Sequence, residues 1–266
     1  MKRLFVFVLS LITVLALVAC DEKKSDSVIE GDKYVARHSH LYPYGATYTD
    51  YDYSVVIDGA KAELVQLSYD SDMNDSGSYT ETQTTRMTGS VKLEDGYYVI
   101  TVKKLYNSLK IDGVGAETQK NAMIQNARDA IAGIDKESPN YKNYVARYEL
   151  IIDLYSGKEV DATSTSLSEF DSVVYKVKLD DKLGKITEMV MLADGKTMGG
   201  YTFEYGANGV MTRSTEYDYE NDLWETEYRA NGTPSFFKYT TEDEVLSFAC
   251  DESGKLTEIA EGFYRK

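Results

Sequence analysis

Histidine, cysteine, proline and tryptophan are scarce in this 266-residue chain, which has two histidines, two cysteines, three prolines and one tryptophan. The motifs G-x-S-x-G, H-E-x-x-H and C-x-x-C and a glycine-rich phosphate loop do not occur in it. A hydrolytic site would have to use one of the two histidines, or a carboxylate pair hidden among 44 acidic residues. The sequence therefore predicts a protein that is not an enzyme.

Positive charge is also in short supply. The chain has 29 lysines and arginines against 44 acidic residues, which gives a net charge of −15. Such a protein is repelled by nucleic acid and by anionic membrane surfaces. Nucleic acid is therefore not a predicted partner.

The N-terminus has the pattern of an export signal. Lys2 and Arg3 precede a largely apolar stretch over 4–19, which ends in Leu17-Val18-Ala19-Cys20. The stretch is shorter than the roughly 20 apolar residues that a membrane-spanning helix needs. The last four residues resemble the lipobox of bacterial lipoprotein precursors, and the resemblance implies cleavage before Cys20 and a diacylglycerol, with acyl chains such as palmitate, on its thiol.

That resemblance implies a protein of the bacterial cell envelope, outside the cytoplasm, whose membrane partner is reached through its lipid. Lipidation of Cys20 leaves Cys250 without a disulfide partner, and its apolar surroundings in the sequence predict a buried structural thiol. The predicted organisation is a signal peptide (1–19), a charged lipidated tether (20–33) and one largely β domain (34–266). That domain can be subdivided into a β part (34–112), a helical insertion (113–160) and a β-meander (161–266).

Short runs with period-two alternation dominate the mature sequence and predict antiparallel hairpins. Residues 51–57 and 62–69 flank Asp58-Gly59, and residues 86–93 and 97–102 flank Asp95-Gly96. From residue 172 onward, turn pairs recur about every ten to fourteen residues, as in a meander. These pairs are Leu183-Gly184, Asp194-Gly195, Asn208-Gly209, Asn221-Asp222, Asn231-Gly232 and Ser253-Gly254.

One helix is predicted over 116–134. Its apolar residues fall on one helical face: Met123, Ala127, Ala130, Ile131 and Ile134. Residues 141–155 fit either a helical face or a strand, and their β-branched content favours a strand from about Val145. The predicted fold class is α+β, mainly β with one helix: an antiparallel β-meander or curved sheet, with helix 116–134 packed on or between sheets.

Three related phrases, DLYSGKEV at 153–160, DDKLGKIT at 180–187 and DESGKLT at 251–257, each place an acidic residue and a glycine in a turn. The last two, with their flanks, resemble the hairpin turns of YD-type repeats of bacterial cell-surface proteins, over about 171–262. The resemblance implies a β-hairpin array with an adhesive or scaffolding role and no catalytic residues.

An acidic segment carries the spacing of a calcium loop. Asp70, Asp72, Asn74 and Glu81 occupy positions one, three, five and twelve, as ligands do in such loops. Asp75 replaces the glycine of the sixth position, and strands are predicted on both sides instead of helices. The segment is therefore a candidate calcium site, and a solvated acidic hairpin loop is the competing interpretation.

The two histidines, His38 and His40, lie two residues apart. In an extended segment both side chains point to the same face, where they could hold a transition metal. Two ligands do not complete a site, and an exposed N-terminal strand is the competing interpretation.

These patterns favour a membrane-anchored extracytoplasmic lipoprotein with a binding or scaffold role. Its 23 tyrosines offer amphipathic rings for an unknown protein, glycan or lipid ligand. A carrier of lipid or another hydrophobic ligand, with a half-barrel wrapped round helix 116–134, is the alternative. A secreted hydrolase of unfamiliar type ranks third.

Overall fold

The computed structural model describes residues 31–44, 47–167 and 170–260. Strands account for 59% of it. Among these residues, no helix combines the length and the apolar character that crossing a membrane requires.

The strands, in chain order, are β1 (Asp32–Tyr42), β2 (Thr47–Asp58), β3 (Lys61–Asn74), β4 (Gly77–Glu94), β5 (Tyr97–Gly113), β6 (Val160–Asp161), β7 (Val173–Asp180), β8 (Lys185–Ala193), β9 (Lys196–Tyr205), β10 (Met211–Asp218), β11 (Leu223–Tyr228), β12 (Pro234–Thr240), β13 (Val245–Cys250) and β14 (Leu256–Ala260). The helices are α1 (Ala116–Gly133), α2 (Tyr141–Tyr155) and the single turn α3 (Thr163–Ser166).

These elements form two compact units. Within the described residues, the helical unit contains 67–88 and 103–171, and the barrel unit contains the remainder. The strands β3, β4 and β5 contribute residues to both units.

The barrel unit is built on a closed ring of seven strands in the order β1, β2, β3, β4, β5, β7 and β8. The ring closes where Val35 of β1 lies beside Lys185 of β8 in a parallel pair. The Val35 N–H donates to the Gly184 carbonyl at 3.2 Å, and the Tyr205 hydroxyl donates to the Ile186 carbonyl at 2.9 Å beside it. Strands β9 to β14 continue from β8 as an antiparallel meander.

The hairpin turns follow from their sequence. In Asp194-Gly195, between β8 and β9, both residues have positive φ, 50° and 74°. Asp95-Gly96, between β4 and β5, has φ values of 51° and 80°. Two successive left-handed residues are typical of a type I′ turn, whose twist matches that of the strands it joins. The hairpins and the meander predicted from these turns are confirmed.

Beyond the Val35–Lys185 pair, strand β1 separates from β8 and contacts β10, β11 and β12. An aromatic core cluster lies there, to which Leu41 of β1 contributes. The cluster comprises Leu41, Trp224, Phe237, Tyr239, Leu246, Phe248 and Cys250. The predicted burial of the Cys250 side chain is confirmed.

In the helical unit, α1 packs against α2. Ala116, at the start of α1, joins Tyr79 and Ile111 in a small core cluster. Arg86 of β4 makes a bidentate ion pair with Glu159, with both nitrogen–oxygen distances at 3.1 Å. The Arg86 guanidinium also lies 4.3 Å from the centre of the Tyr106 ring. A planar guanidinium group can make a bidentate ion pair and also stack on an aromatic ring.

Helix 116–134 is confirmed as an element, but the predicted α+β class is wrong. The fold is a barrel with additional strands, and the helix belongs to the helical unit, where it pairs with a second helix instead of packing on or between sheets. The closed ring also differs from a half-barrel wrapped round that helix. The favoured strand from Val145 is wrong too, because 141–155 is helix α2. Its apolar residues at helical spacing outweigh their β propensity.

Candidate metal centre

The two histidines and one distant carboxylate form a buried cluster in the barrel unit. His38 and His40 lie on the same face of β1, and Glu216 comes from β10. Nε2 of His38 is 2.7 Å from Oε2 of Glu216, and Nδ1 of His40 is 2.6 Å from the same oxygen. The strand alternation therefore aims two imidazoles at one carboxylate.

The cluster is almost entirely removed from solvent, with His38 at 0%, His40 at 8% and Glu216 at 8% exposure. Burial alone would raise the pKa of Glu216. The charge of His40 and hydrogen bonds from both imidazoles outweigh that effect and hold this pKa well below its usual range. Glu216 is thus an anion, which is the form that binds a metal.

The second nitrogen of His38 is held by a chain of hydroxyls. Nδ1 lies 2.9 Å from Oγ of Ser214, which lies 2.9 Å from the Tyr228 hydroxyl. The Tyr228 hydroxyl accepts from the Ser39 N–H at 2.9 Å. Imidazole ligands of metals are commonly oriented in this way by a partner of their other ring nitrogen.

Aromatic rings surround the two histidines. Trp224 and Tyr42 lie against the His40 ring, at centroid distances of 5.1 and 4.7 Å. Tyr201 lies 5.3 Å from the His38 ring, and its hydroxyl donates to Oε1 of Glu216 at 3.3 Å. Burial raises the pKa of Tyr201 well above its ordinary value, so its hydroxyl stays protonated and remains a donor.

The three side chains could hold a metal ion after a small movement. The three ligand atoms lie within 4.8 Å of one another, and no other group of three or more histidine, cysteine or acidic residues in the described ranges does so. Metal–ligand bonds of about 2.0 to 2.2 Å place neighbouring ligand atoms a little over 3 Å apart in a tetrahedral site. Each nitrogen would therefore move about 0.6 to 0.9 Å from the carboxylate oxygen.

The predicted calcium residues lie in the helical unit, on the hairpin of β3 and β4. Asp70, Asp72 and Asn74 are on β3, and Glu81 is on β4. The Asn74 amide donates to the Gly115 carbonyl at 2.9 Å, and Oε1 of Glu81 accepts from Gln119 at 3.1 Å. Calcium binding there stays a prediction. The lipidation residue, Cys20, lies outside the described residues.

The sequence predicts that His38 and His40 share one face, but these two ligands alone do not complete a metal site. Glu216 was not recognised as their partner, because it is 178 positions from His38 and is one of 44 acidic residues. A weak signal is present, since Ser214 and Glu216 occupy alternate positions of β10 and therefore share one face, on which both are buried.

Comparison with models of protein families and with curated proteins finds no match to this sequence. Among solved structures, the chain is similar to a porin-like protein from Bacteroides uniformis, with 10% sequence identity and a TM-score of 0.25. The similarity covers 82% of this chain and 91% of that chain.

Proposed function

We propose that this protein is a metal-binding lipoprotein of the bacterial envelope, with a divalent transition-metal ion held by His38, His40 and Glu216. The observation that carries the proposal is the convergence of both imidazoles on one ionised carboxylate oxygen, at 2.6 and 2.7 Å, in a buried site. Burying a carboxylate and two imidazoles is unfavourable unless their charges and lone pairs are satisfied, and a bound metal ion would satisfy all three groups together.

The donor set indicates the class of metal. Two imidazole nitrogens and one carboxylate oxygen suit Zn²⁺, Fe²⁺ or Cu²⁺, whereas Ca²⁺ and Mg²⁺ prefer sites made of oxygen. Cys250 lies in the aromatic core cluster and is not a member of the histidine group, so within the described residues no thiolate biases the site toward Cu⁺. Zn²⁺ is the first ion to test, because its coordination tolerates such a mixed set.

The anchoring half of the proposal rests on the lipobox-like sequence before Cys20. Acyl chains on that thiol would hold the domain on a membrane, and the charged segment that follows would give it reach. In this proposal, the protein binds its metal outside the cytoplasm, from the ions present in the cell envelope.

A tyrosine-bearing contact surface, the other binding role considered, has less support. Of the exposed large hydrophobic side chains in the described residues, Tyr44, Tyr144 and Tyr219 are the aromatic ones, and they belong to different segments of the chain. Tyr53, Tyr201 and their neighbours instead surround the histidine cluster.

The test is a metal titration of the chain produced without residues 1–20 and without an oligohistidine tag. Trp224 is the only tryptophan, and its ring lies 5.1 Å from that of His40, so a bound Co²⁺ or Cu²⁺ ion should quench its fluorescence. We expect one ion per chain, with bound Co²⁺ displaced by Zn²⁺, and calorimetry should give the same stoichiometry.

Matched variants distinguish binding at this site from nonspecific metal binding by other acidic residues. His40→Ala and Glu216→Gln should each weaken Zn²⁺ binding by more than about 100-fold, beyond the loss seen when an outer partner of a ligand is removed. Glu225→Gln removes another buried carboxylate, on the adjacent strand β11, and should leave the affinity unchanged. Equal losses for Glu216→Gln and Glu225→Gln, or no binding by the unaltered chain, would refute the metal site.

A further inference from the structure

A buried hydrogen-bond donor beside the histidine cluster has no acceptor among the described residues. It is Nε1 of Trp224, a residue that is 4% exposed. Leaving such a donor unsatisfied is unfavourable, and native proteins commonly satisfy these groups with a water or an ion.

The donor belongs to the ring that packs on a metal ligand. Trp224 and His40 are 5.1 Å apart between ring centres and inclined by 39°. A group bound to the metal beside His40 would therefore lie within reach of the indole ring. The same indole packs on Tyr239 at 5.0 Å, which fixes its position.

The ligand set leaves a coordination position open for such a group. Oε2 of Glu216 faces both imidazoles, while its Oε1 accepts from the Tyr201 hydroxyl, which favours binding of the metal through one oxygen only. Where a zinc site has three protein ligands, water or an added ligand takes the fourth position.

Charge decides which added ligand fits. A divalent ion with two neutral imidazoles and one carboxylate has a net charge of about +1, in a site that is nearly dry. A buried net charge is unfavourable unless it is compensated, and a monovalent anion compensates it.

We propose that the metal binds a small oxyanion, a carboxylate or an inorganic oxyanion, at its fourth position, and that this anion accepts a hydrogen bond from Nε1 of Trp224. This inference rests on the proposed metal site and names what the site binds. Trp224 is a specificity-determining residue in this scheme, because it donates to the anion and not to the metal.

The experiment uses the Co²⁺-loaded protein, whose visible spectrum reports changes in coordination. Sodium acetate and sodium phosphate are titrated at constant ionic strength, with chloride as the balancing salt. We expect a saturable spectral change with at least one of the two, and a matching change in Trp224 fluorescence in the Zn²⁺-loaded protein that is missing from the metal-free protein. A response to acetate alone assigns the site to carboxylates, and a response to phosphate alone assigns it to inorganic oxyanions.

Trp224→Phe tests the donor, because phenylalanine keeps an aromatic ring in the core but has no N–H. Once this variant is saturated with Co²⁺, its affinity for the anion, as read from the Co²⁺ spectrum, should be about tenfold lower than that of the unaltered chain. Unchanged anion affinity in the variant would overturn the role of Trp224. A Co²⁺ spectrum that neither anion alters would overturn the anion site and leave metal binding standing, whereas failure to bind Co²⁺ would refute the proposed function itself.

Discussion

At the scale of single residues, Ser39 shows how strand β1 is held on the edge that does not pair with β2. Its N–H donates to the Tyr228 hydroxyl, its carbonyl accepts from Oγ1 of Thr226, and both bonds are 2.9 Å long. Its own hydroxyl donates to Asp50 at 2.5 Å. Side chains of β11 therefore replace the backbone partners that a neighbouring strand would supply.

Thr226→Val tests this substitute for sheet bonding. The change keeps the side-chain shape at a fully buried position but removes the donor to the Ser39 carbonyl. We expect the free energy of unfolding to fall by about 1 to 3 kcal/mol, because a buried carbonyl loses its partner. Urea denaturation followed by circular dichroism measures the loss.

Thr212→Val is the matched control. Oγ1 of Thr212 also donates to a backbone carbonyl, that of Glu204 at 3.2 Å, but at an exposed site where water can replace it. Its effect should stay within about 0.5 kcal/mol. Similar losses of unfolding free energy in the two variants would contradict a stabilising role of the Thr226 hydrogen bond for β1.

At the scale of elements, local chemistry decides how far the sequence can be interpreted. Asp95-Gly96 and Asp194-Gly195 adopt left-handed conformations that few other pairs accept, so their hairpins could be predicted from two residues each. Helix α1 could likewise be predicted, because the helical spacing of its apolar residues is contained in its own sequence. Such elements are predictable because the residues that determine them are adjacent in the chain.

Other elements depend on contacts that the sequence does not display. Residues 141–155 satisfy both a helical and an alternating pattern, and packing against α1 selects the helix. The ring is closed by a single residue pair, Val35 with Lys185, which no periodic pattern in the sequence predicts. The candidate metal centre is of the same kind, since the sequence shows the spacing of its two histidines but not their contact with Glu216.

Leu154→Ala tests the buried side of helix α2. Leu154 is buried, so truncation should remove its hydrophobic contacts and leave a cavity, lowering the free energy of unfolding by about 2 to 4 kcal/mol. Chemical denaturation of the variant provides the measurement. Leu93→Ala, at an exposed leucine of β4, should change it by less than about 0.5 kcal/mol, and a small effect at Leu154 would show that α2 is loosely packed.

At the scale of the whole molecule, alkaline pH should weaken the barrel unit. A hydrogen bond to Asp181, together with burial, raises the pKa of Tyr34 to about 12, and burial raises the pKa of Tyr175 to about 12. Between their ordinary value of 10.0 and 12, the unfolded chain releases protons that the folded chain keeps, so the stability from these groups is lost as the pH rises.

Thermal unfolding at pH 8, 10 and 11 measures this dependence as a fall in the melting temperature. Tyr34→Phe and Tyr175→Phe should each make the fall above pH 10 less steep. Tyr144→Phe, at an exposed position of α2, serves as the control and should leave the slope unaltered. Equal slopes in all four proteins would contradict the assignment.

The separation of His38 from Glu216 by 178 positions has a consequence for the order in which the protein matures. A chain that is made and exported from its N-terminus presents both histidines long before β10 emerges. The ring cannot close before β8 is available, and the three ligands can meet only once β10 is available too. The proposed metal would therefore be acquired after export, from the ions of the compartment where folding ends, and a chain that stops before β10 has both histidines but no site.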